Sequence, residues 1–353
     1  MNITTIIGAR PQFVKAAVVS RAFRAHRSDV QETIIHTGQH YDANMSDVFF
    51  DELDIPHPNH HLGIGGGTHG QNTGRMLEAI ETILLGDKPD WVLVYGDTDS
   101  TLAGALAAAK LHILVAHVEA GLRSFNRAMP EELNRILTDH VSSFLFTPTD
   151  AATRNLANEG ITGEKVQQVG DVMYDAALYY RNKAQRPAGI QHDSGFILST
   201  IHRAENTDNP ERLSNIIGAL NEVAAETPVI FPLHPRTRKL LAQGNYDTRN
   251  ITLLEPVSYL QMVWLLEHCK LVVTDSGGLQ KEAYFFAKPC VTTRDETEWV
   301  ELVESGWNVL VGSDKEAIYR AAQQTMTQYL SNQHNQLYGK GDAGVKVIEA
   351  LQQ

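Results

Sequence analysis

Cysteine is nearly missing from this sequence: Cys269 and Cys290 are the two thiols in 353 residues. That excludes a disulfide framework and any four-cysteine metal site, and a reducing compartment fits best. Long apolar runs are missing as well. No stretch of 18 apolar residues occurs, and no basic segment followed by a long apolar core opens the chain, so a cytoplasmic protein that neither spans a membrane nor is exported is expected. Positive charge is in short supply, with 30 Lys and Arg against 42 Asp and Glu and a formal net charge of -12. Nucleic acid is therefore an improbable partner, and an anionic ligand has to be small enough for a local cationic pocket. What is present is ordinary globular material. Hydrophobic residues at 42% and charged residues at 20% can fill sizeable cores, and the length points to two domains.

Short β-branched or apolar runs recur between helix-length segments. In the first half they are Ile3 to Ile7, Thr33 to Thr37, Trp91 to Tyr95, Ile113 to Ala116 and Phe144 to Phe146. In the second they are Phe196 to Thr200, Val229 to Phe231, Ile251 to Leu254, Leu271 to Thr274 and Pro289 to Thr292. Alternation of this kind predicts α/β architecture with parallel sheets, whose ligands gather beyond the carboxyl ends of the strands. The polar stretch from Arg181 to Ser194 is the best linker, which puts the domain change between residues 170 and 195.

Motifs just after strands thus carry most weight. The first strand runs into Gly8-Ala9-Arg10-Pro11, with Lys15 one turn into the following helix; Arg10 and Lys15 can hold a diphosphate or a carboxylate. Gly96-Asp97-Thr98 offers Asp97 as a proton handler, with a helix N-cap as the structural alternative. His117-Val118-Glu119-Ala120-Gly121-Leu122-Arg123 and Pro130-Glu131-Glu132 add carboxylates, and acidic groups crowded into one site push one another's pKa values apart. Glu131 and Glu132 would also suit the positive end of a helix. In the second half His202-Arg203-Ala204-Glu205 follows a strand and places a histidine able to move a proton near neutral pH. The strongest segment is Thr274-Asp275-Ser276-Gly277-Gly278, a strand, a small-residue turn and a helix start, where free N–H groups can cradle a phosphate while Glu282 takes ribose hydroxyls. Two patterns are set aside. Gly65-Gly66-Gly67-Thr68-His69-Gly70 fits a dinucleotide fingerprint, but His60 to Ile64 before it make no convincing strand. His57, His60, His61 and His69 lack metal-ligand spacing and suggest a mobile loop.

Taken in order, Gly8-Ala9-Arg10-Pro11, Thr37-Gly38-Gln39-His40, Gly96-Asp97-Thr98, His117 to Arg123, Pro130-Glu131-Glu132 and Thr274 to Gly278 resemble the non-hydrolysing UDP-N-acetylglucosamine 2-epimerase family across nearly the whole chain. The resemblance implies two Rossmann-like domains of the glycosyltransferase-B type facing across a cleft, and a homodimer. The first domain, 1–175, would hold the sugar and the catalytic residues and be joined by a C-terminal helix, 343–353; the second, 176–342, would bind UDP. It implies catalytic roles for Asp97, Glu119, Glu131 and His202. Substrate contacts would come from Arg10, Lys15, Arg123, Arg135, Glu255, Ser276, Gly277, Gly278 and Glu282. Gln39, His40, Arg75 and His202 would form a regulatory site for UDP-N-acetylglucosamine.

The pattern departs from the commonest members. His202-Arg203-Ala204-Glu205 stands for His-Arg-Arg-Glu, and Thr297-Glu298-Trp299-Val300-Glu301 for Thr-Glu-Arg-Pro-Glu. These variants are similar to the subgroup that epimerises UDP-2,3-diacetamido-2,3-dideoxyglucuronate, a precursor for surface polysaccharides; UDP-N-acetylglucosamine is the alternative substrate. The expected reaction eliminates UDP to a glycal and adds it back after the proton returns to the opposite face of carbon 2, with neither nicotinamide nor metal. A UDP-sugar glycosyltransferase, a hydrolysing epimerase and a non-catalytic sugar-nucleotide sensor are the rival readings.

Overall fold

A computed structural model describes residues 1–27, 29–39, 50, 53–328 and 336–352, with Arg10 and Gln328 given by their backbone alone. The chain divides into two compact units, Met1–Ala176 with Gln336–Gln353, and Ala177–Asn335.

In the first unit the elements are β1 Asn2–Ile7, α1 Arg10–His26, β2 Gln31–His36, β3 His60–His61, α2 His69–Asp87, β4 Trp91–Tyr95, α3 Asp99–Lys110, β5 Leu114–Val118, α4 Pro130–Val141, β6 Phe144–Thr147, α5 Asp150–Asn158 and β7 Val166–Gln168. Helix α6, Val172–Arg181, runs through the division between the units. The seven strands lie in the order β3-β2-β1-β4-β5-β6-β7, every pair parallel. β1 from Ile3 onward and all of β4 are buried on both faces, so neither shows the in-and-out alternation of a sheet with one wet face.

The second unit holds β8 Ile197–Thr200, α7 Ala204–Thr207, α8 Pro210–Val223, β9 Val229–Pro232, α9 Pro235–Gln243, β10 Ile251–Leu254, α10 Tyr259–His268, β11 Leu271–Thr274, α11 Gly277–Phe285, β12 Cys290–Thr292, α12 Val300–Glu304, β13 Asn308–Leu310 and α13 Lys315–Gln328. Its sheet runs β10-β9-β8-β11-β12-β13, again wholly parallel. Core residues Ile197, Phe231, Leu271 and Val273 pack with Leu213, Ile217 and Leu220 of α8 and Ile318 of α13. Both sheets thus carry the expected α/β, Rossmann-like pattern. In each, order reverses beside the first strand, which opens a crevice beyond the ends of β1 and β4 and of β8 and β11.

Helix α14, Ala343–Ala350, packs on α1 in the first unit. Residues 336–342, expected with the second domain, also group with the first: the Asp171 N–H donates to the Tyr338 carbonyl at 3.0 Å, which fixes this segment there.

Several strands depart from expectation at their ends. β5 extends to Val118, so His117 is a strand residue opposite Val94. The residues His60 and His61, expected to lie outside any strand, form the short edge strand β3 beside β2. β3, β7 and β13 have two or three residues each, too few to show a period in sequence. Gly65 to Thr68 still fail as a phosphate loop: the Gly67 N–H donates to Asn72 Oδ1 and the Thr68 N–H to Gln71 Oε1, each at 3.1 Å, so these donors are spent capping α2.

Candidate active site

The turns after β1 and β4 are tied by one side chain that the sequence reading passed over. Gln12, buried in α1, accepts from the N–H groups of Gly8 (2.8 Å) and Ala9 (3.0 Å) through Oε1. Its Nε2 donates to the Tyr95 carbonyl at 2.7 Å, Thr101 Oγ1 at 2.9 Å and Thr98 Oγ1 at 3.0 Å. Lys15, in the second turn of α1 behind this staple, forms an ion pair with Glu119. Glu119 has a left-handed backbone, φ 72°, a costly conformation for a residue with a side chain and one that collects at functional sites. Gly96 is also left-handed, φ 64°, and a Cβ there would stand 3.2 Å from Lys15 Nζ and 3.4 Å from Glu119 Oε2. Only glycine lets the turn lie against that pair.

Asp97 follows, and its carboxylate accepts from Arg135 Nη2. The other Arg135 amino group donates to Glu132 Oε2 at 2.8 Å. Asn134 supports the same turn, its amide donating to the Asp97 carbonyl (3.0 Å) and to Asp99 Oδ1 (3.2 Å), while His69 Nδ1 lies 2.9 Å from Asp99 Oδ2. Carboxylates are thus brought together, but each sits against a cation or an amide instead of crowding another carboxylate.

Several expected residues have structural duties. Arg123 is not available to a substrate: its guanidinium holds Glu159 through Nε (2.6 Å) and Nη2 (2.7 Å) and Asp139 through Nη1 (2.7 Å), and it is 3% exposed. Burial works against both charges, yet each acts on the other: Asp139 is held below the usual carboxylate range, chiefly by His117 and Arg123 against its desolvation. Arg135 holds Asp97 and Glu132 through its two amino groups. Glu132 accepts from the N–H groups of Ser124 and Phe125, each at 2.9 Å, and so shapes the loop before α4. Glu131, in the first turn of α4, is exposed. Gln39 Oε1 accepts from the Ser100 N–H (3.0 Å) and hydroxyl (2.7 Å), and Arg75 is exposed on α2. His40 lies outside the described residues, and Arg10 opens α1 with its backbone alone described.

In the second unit the ends of β8 and β11 carry the matching crevice. Asp275, fully buried, accepts from the N–H groups of His202 (3.0 Å) and Arg203 (3.0 Å) and from Asn206 Nδ2 (3.1 Å). Its place inside the strongest motif is the one signal in the sequence that points to it. His202 Nδ1 lies 3.5 Å from Asp275, and its ring stacks on His234 at 5.5 Å. Burial pulls its pKa below the ordinary histidine value; the Asp275 charge opposes this, while His234 and Arg203 add to it. Ser276 caps α11, its hydroxyl accepting from the Leu279 N–H at 3.4 Å. The first helix N–H groups, from Gly277 and Gly278, have no intrahelical acceptor and point out of the positive end. A Cβ on Gly277 would meet Glu298 Oε1 at 2.1 Å. Burial opposes the Glu298 charge, but Arg294, 2.9 Å away, with Arg203 holds its pKa below the usual range. Glu282 is half-buried one turn along, with Lys281 Nζ 4.1 Å over the Trp299 ring. Glu255 is paired with Arg238 at 2.5 Å.

Comparison with known proteins decides the family. A profile described as UDP-N-acetylglucosamine 2-epimerase matches residues 22–352, nearly the whole chain. The chain belongs to the UDP-N-acetylglucosamine 2-epimerase family. The UDP-2,3-diacetamido-2,3-dideoxy-D-glucuronate 2-epimerase of Pseudomonas aeruginosa is 55% identical to this family member over 354 residues, 99% of each chain. The Methanocaldococcus jannaschii UDP-GlcNAc 2-epimerase, solved in complex with UDP-GlcNAc and UDP, is similar at 44% identity and a TM-score of 0.89, covering 100% of this chain and 99% of its own. The Neisseria meningitidis UDP-GlcNAc 2-epimerase bound to UDP-GlcNAc matches at 33% identity and TM-score 0.91 over 100% of both chains. Family membership makes the chain an isomerase and moves the transferase and sensor readings aside. Among the described residues of the enzyme, no group of three His, Cys, Asp or Glu could hold a metal ion, and no helix is long and apolar enough to cross a membrane. Its thiols are buried, and burial pushes Cys269 and Cys290 up to about 12, far from a reactive thiolate.

Proposed function

We propose that this enzyme inverts carbon 2 of UDP-2,3-diacetamido-2,3-dideoxyglucuronate, giving the manno epimer for surface polysaccharide. The observation behind the substrate is the 55% identity, end to end, to the Pseudomonas aeruginosa enzyme of that name; a UDP-N-acetylglucosamine 2-epimerase homolog of Methanococcus maripaludis stands at 53% and the Methanocaldococcus jannaschii UDP-N-acetylglucosamine 2-epimerase at 44%. Trp299 supports it, because the commonest pattern has arginine there and this chain has an indole under Lys281.

Carbon 2 of the sugar is not beside a carbonyl, so its proton becomes acidic only as UDP departs. The C1–O bond breaks with its electron pair going to UDP, whose charge the Ser276 to Gly278 turn and the start of α11 receive. A carboxylate among Asp97, Glu119 and Glu131 takes the proton from carbon 2 as the C1–C2 double bond forms. The proton then returns to the opposite face, and a UDP oxygen adds back to carbon 1. Lys15 and Arg135, each touching one of these carboxylates, hold them in place, and His202 is a further proton-moving group. In this reading the enzyme is a cytoplasmic homodimer that needs neither metal nor nicotinamide.

Proton NMR in deuterated buffer tests the reaction and the substrate together. Deuterium at carbon 2 with a new manno-configured UDP-sugar is expected from the diacetamidoglucuronate. Turnover of UDP-N-acetylglucosamine alone would transfer the enzyme to the other substrate, and no exchange with either would remove the reaction.

A further inference from the structure

His117 belongs to a sequence motif that the reaction leaves without a task, and it is fully buried in the middle of a parallel sheet. Its two ring nitrogens face two acceptors: Nδ1 is 2.7 Å from Asp139 Oδ1, and Nε2 is 2.7 Å from the Gly96 carbonyl. A carbonyl oxygen can only accept, so Nε2 carries a hydrogen. Asp139 also accepts through Oδ2 from Arg123 Nη1 (2.7 Å) and the Gly121 N–H (3.1 Å), so the partner of Nδ1 is itself held in place. The ring is buried with both of its nitrogens in short polar contacts.

Its second bond ends on the residue before Asp97. The Gly96 N–H donates to the Val118 carbonyl at 3.1 Å, and its Cα lies against the Lys15 and Glu119 pair. We propose that His117 is a positioning residue for the epimerisation: anchored by Asp139, it pins the Gly96 carbonyl and so fixes the orientation of Asp97 relative to Lys15 and Glu119. A residue there only to pack would need no polar partner, and this ring has one at each nitrogen. The proposal rests on Asp97 being a reacting group.

Two amide substitutions separate the two ring nitrogens. Gln reaches the place of Nε2 and keeps a donor for Gly96, whereas Asn reaches the place of Nδ1 and keeps only the bond to Asp139. In kinetics with the UDP-sugar that the enzyme turns over, H117N is expected to lose roughly 100-fold in kcat with KM and UDP affinity unchanged, the cost of a small misplacement of a reacting group. H117Q should keep kcat within about tenfold of the parent enzyme, although it is the variant that gives up the bond to Asp139. Equal losses in both variants, or a loss seen in melting temperature with kcat untouched, would overturn the proposal. An inactive D97N enzyme beside a fully active H117N would sink the proposal alone, while a fully active D97N would sink the assignment of Asp97 on which it rests. Should both His117 variants fail to fold, nitrogen-15 NMR of histidine-labelled parent enzyme decides: a ring Nε2–H protected from solvent exchange is expected, and the absence of any such protected Nε2–H refutes the proposal.

Discussion

Asp175 offers a sharp test of how burial and charge are balanced where the C-terminal helix returns to the first unit. Its Oδ2 accepts from the Gly344 N–H at 2.9 Å at the start of α14, while Oδ1 is buried without a hydrogen-bond partner. Burial raises its pKa from 3.8 to about 6, the Gly344 and Ala343 N–H groups resist, and the carboxylates of Asp171 and Asp342 add to the rise. A folded value above the unfolded one means the contribution is fully present below pH 3.8 and is lost as pH rises through about 6. A shift of about two units corresponds to about 3 kcal/mol against the folded state at neutral pH. Asp175→Asn keeps an oxygen for Gly344 and removes the ionisation. It gives up about 0.3–1 kcal/mol of charge attraction to the start of α14. The expected net gain at neutral pH is therefore about 2 kcal/mol, or a melting temperature about 4–8 °C higher for a unit of this size. Thermal unfolding of parent and variant at about pH 4 and about pH 8 measures it, the difference vanishing at the acid end. A variant that melts lower at the alkaline end, or that keeps the parent's pH slope, would refute the reasoning.

Three further outcomes follow from the sites. Arg123→Ala should cost about 3–5 kcal/mol of stability by stranding Asp139 and Glu159, with UDP affinity unchanged in calorimetry; intact stability with a raised KM would restore a substrate contact. Gly277→Ala forces its Cβ onto Glu298, so UDP affinity should drop roughly tenfold or more, and an unchanged Kd would remove this turn from the phosphate cradle. Asp97→Asn should lower the rate of carbon 2 exchange by about 100-fold or more while UDP still binds, and full exchange would take Asp97 out of the chemistry.

The motifs were legible because each joins a strand end to a helix start, where local chemistry is encoded in consecutive residues. Ser276-Gly277-Gly278 announces an exposed helix N-terminus, and Gly96-Asp97 a turn with a carboxylate at its edge. Partnerships were not legible. Arg123 and Arg135 read as free cations in sequence because nothing nearby in the chain reveals Glu159 or Asp97, 36 and 38 residues away. Gln12 went unnoticed for the same reason: its amide matters through Tyr95, Thr98 and Thr101, more than 80 residues on. A polar residue immediately after Arg10-Pro11, at the third position of a helix, was the available signal.

Composition, hydrophobic runs and motif order determine by themselves that this is an α/β chain with two parallel sheets and membership in a UDP-sugar epimerase family. These properties are local or additive, so they survive being read one segment at a time. Only the tertiary structure decides which charges face a ligand and which face each other. His117 of β5, Arg123 of the loop after it and Asp139 of α4 converge in a dry interior, where a carboxylate must take whichever cation the packing brings within about 3 Å. The strand order settles that choice for Lys15, Arg123 and Arg135, because it brings neighbouring strand ends together across many intervening residues.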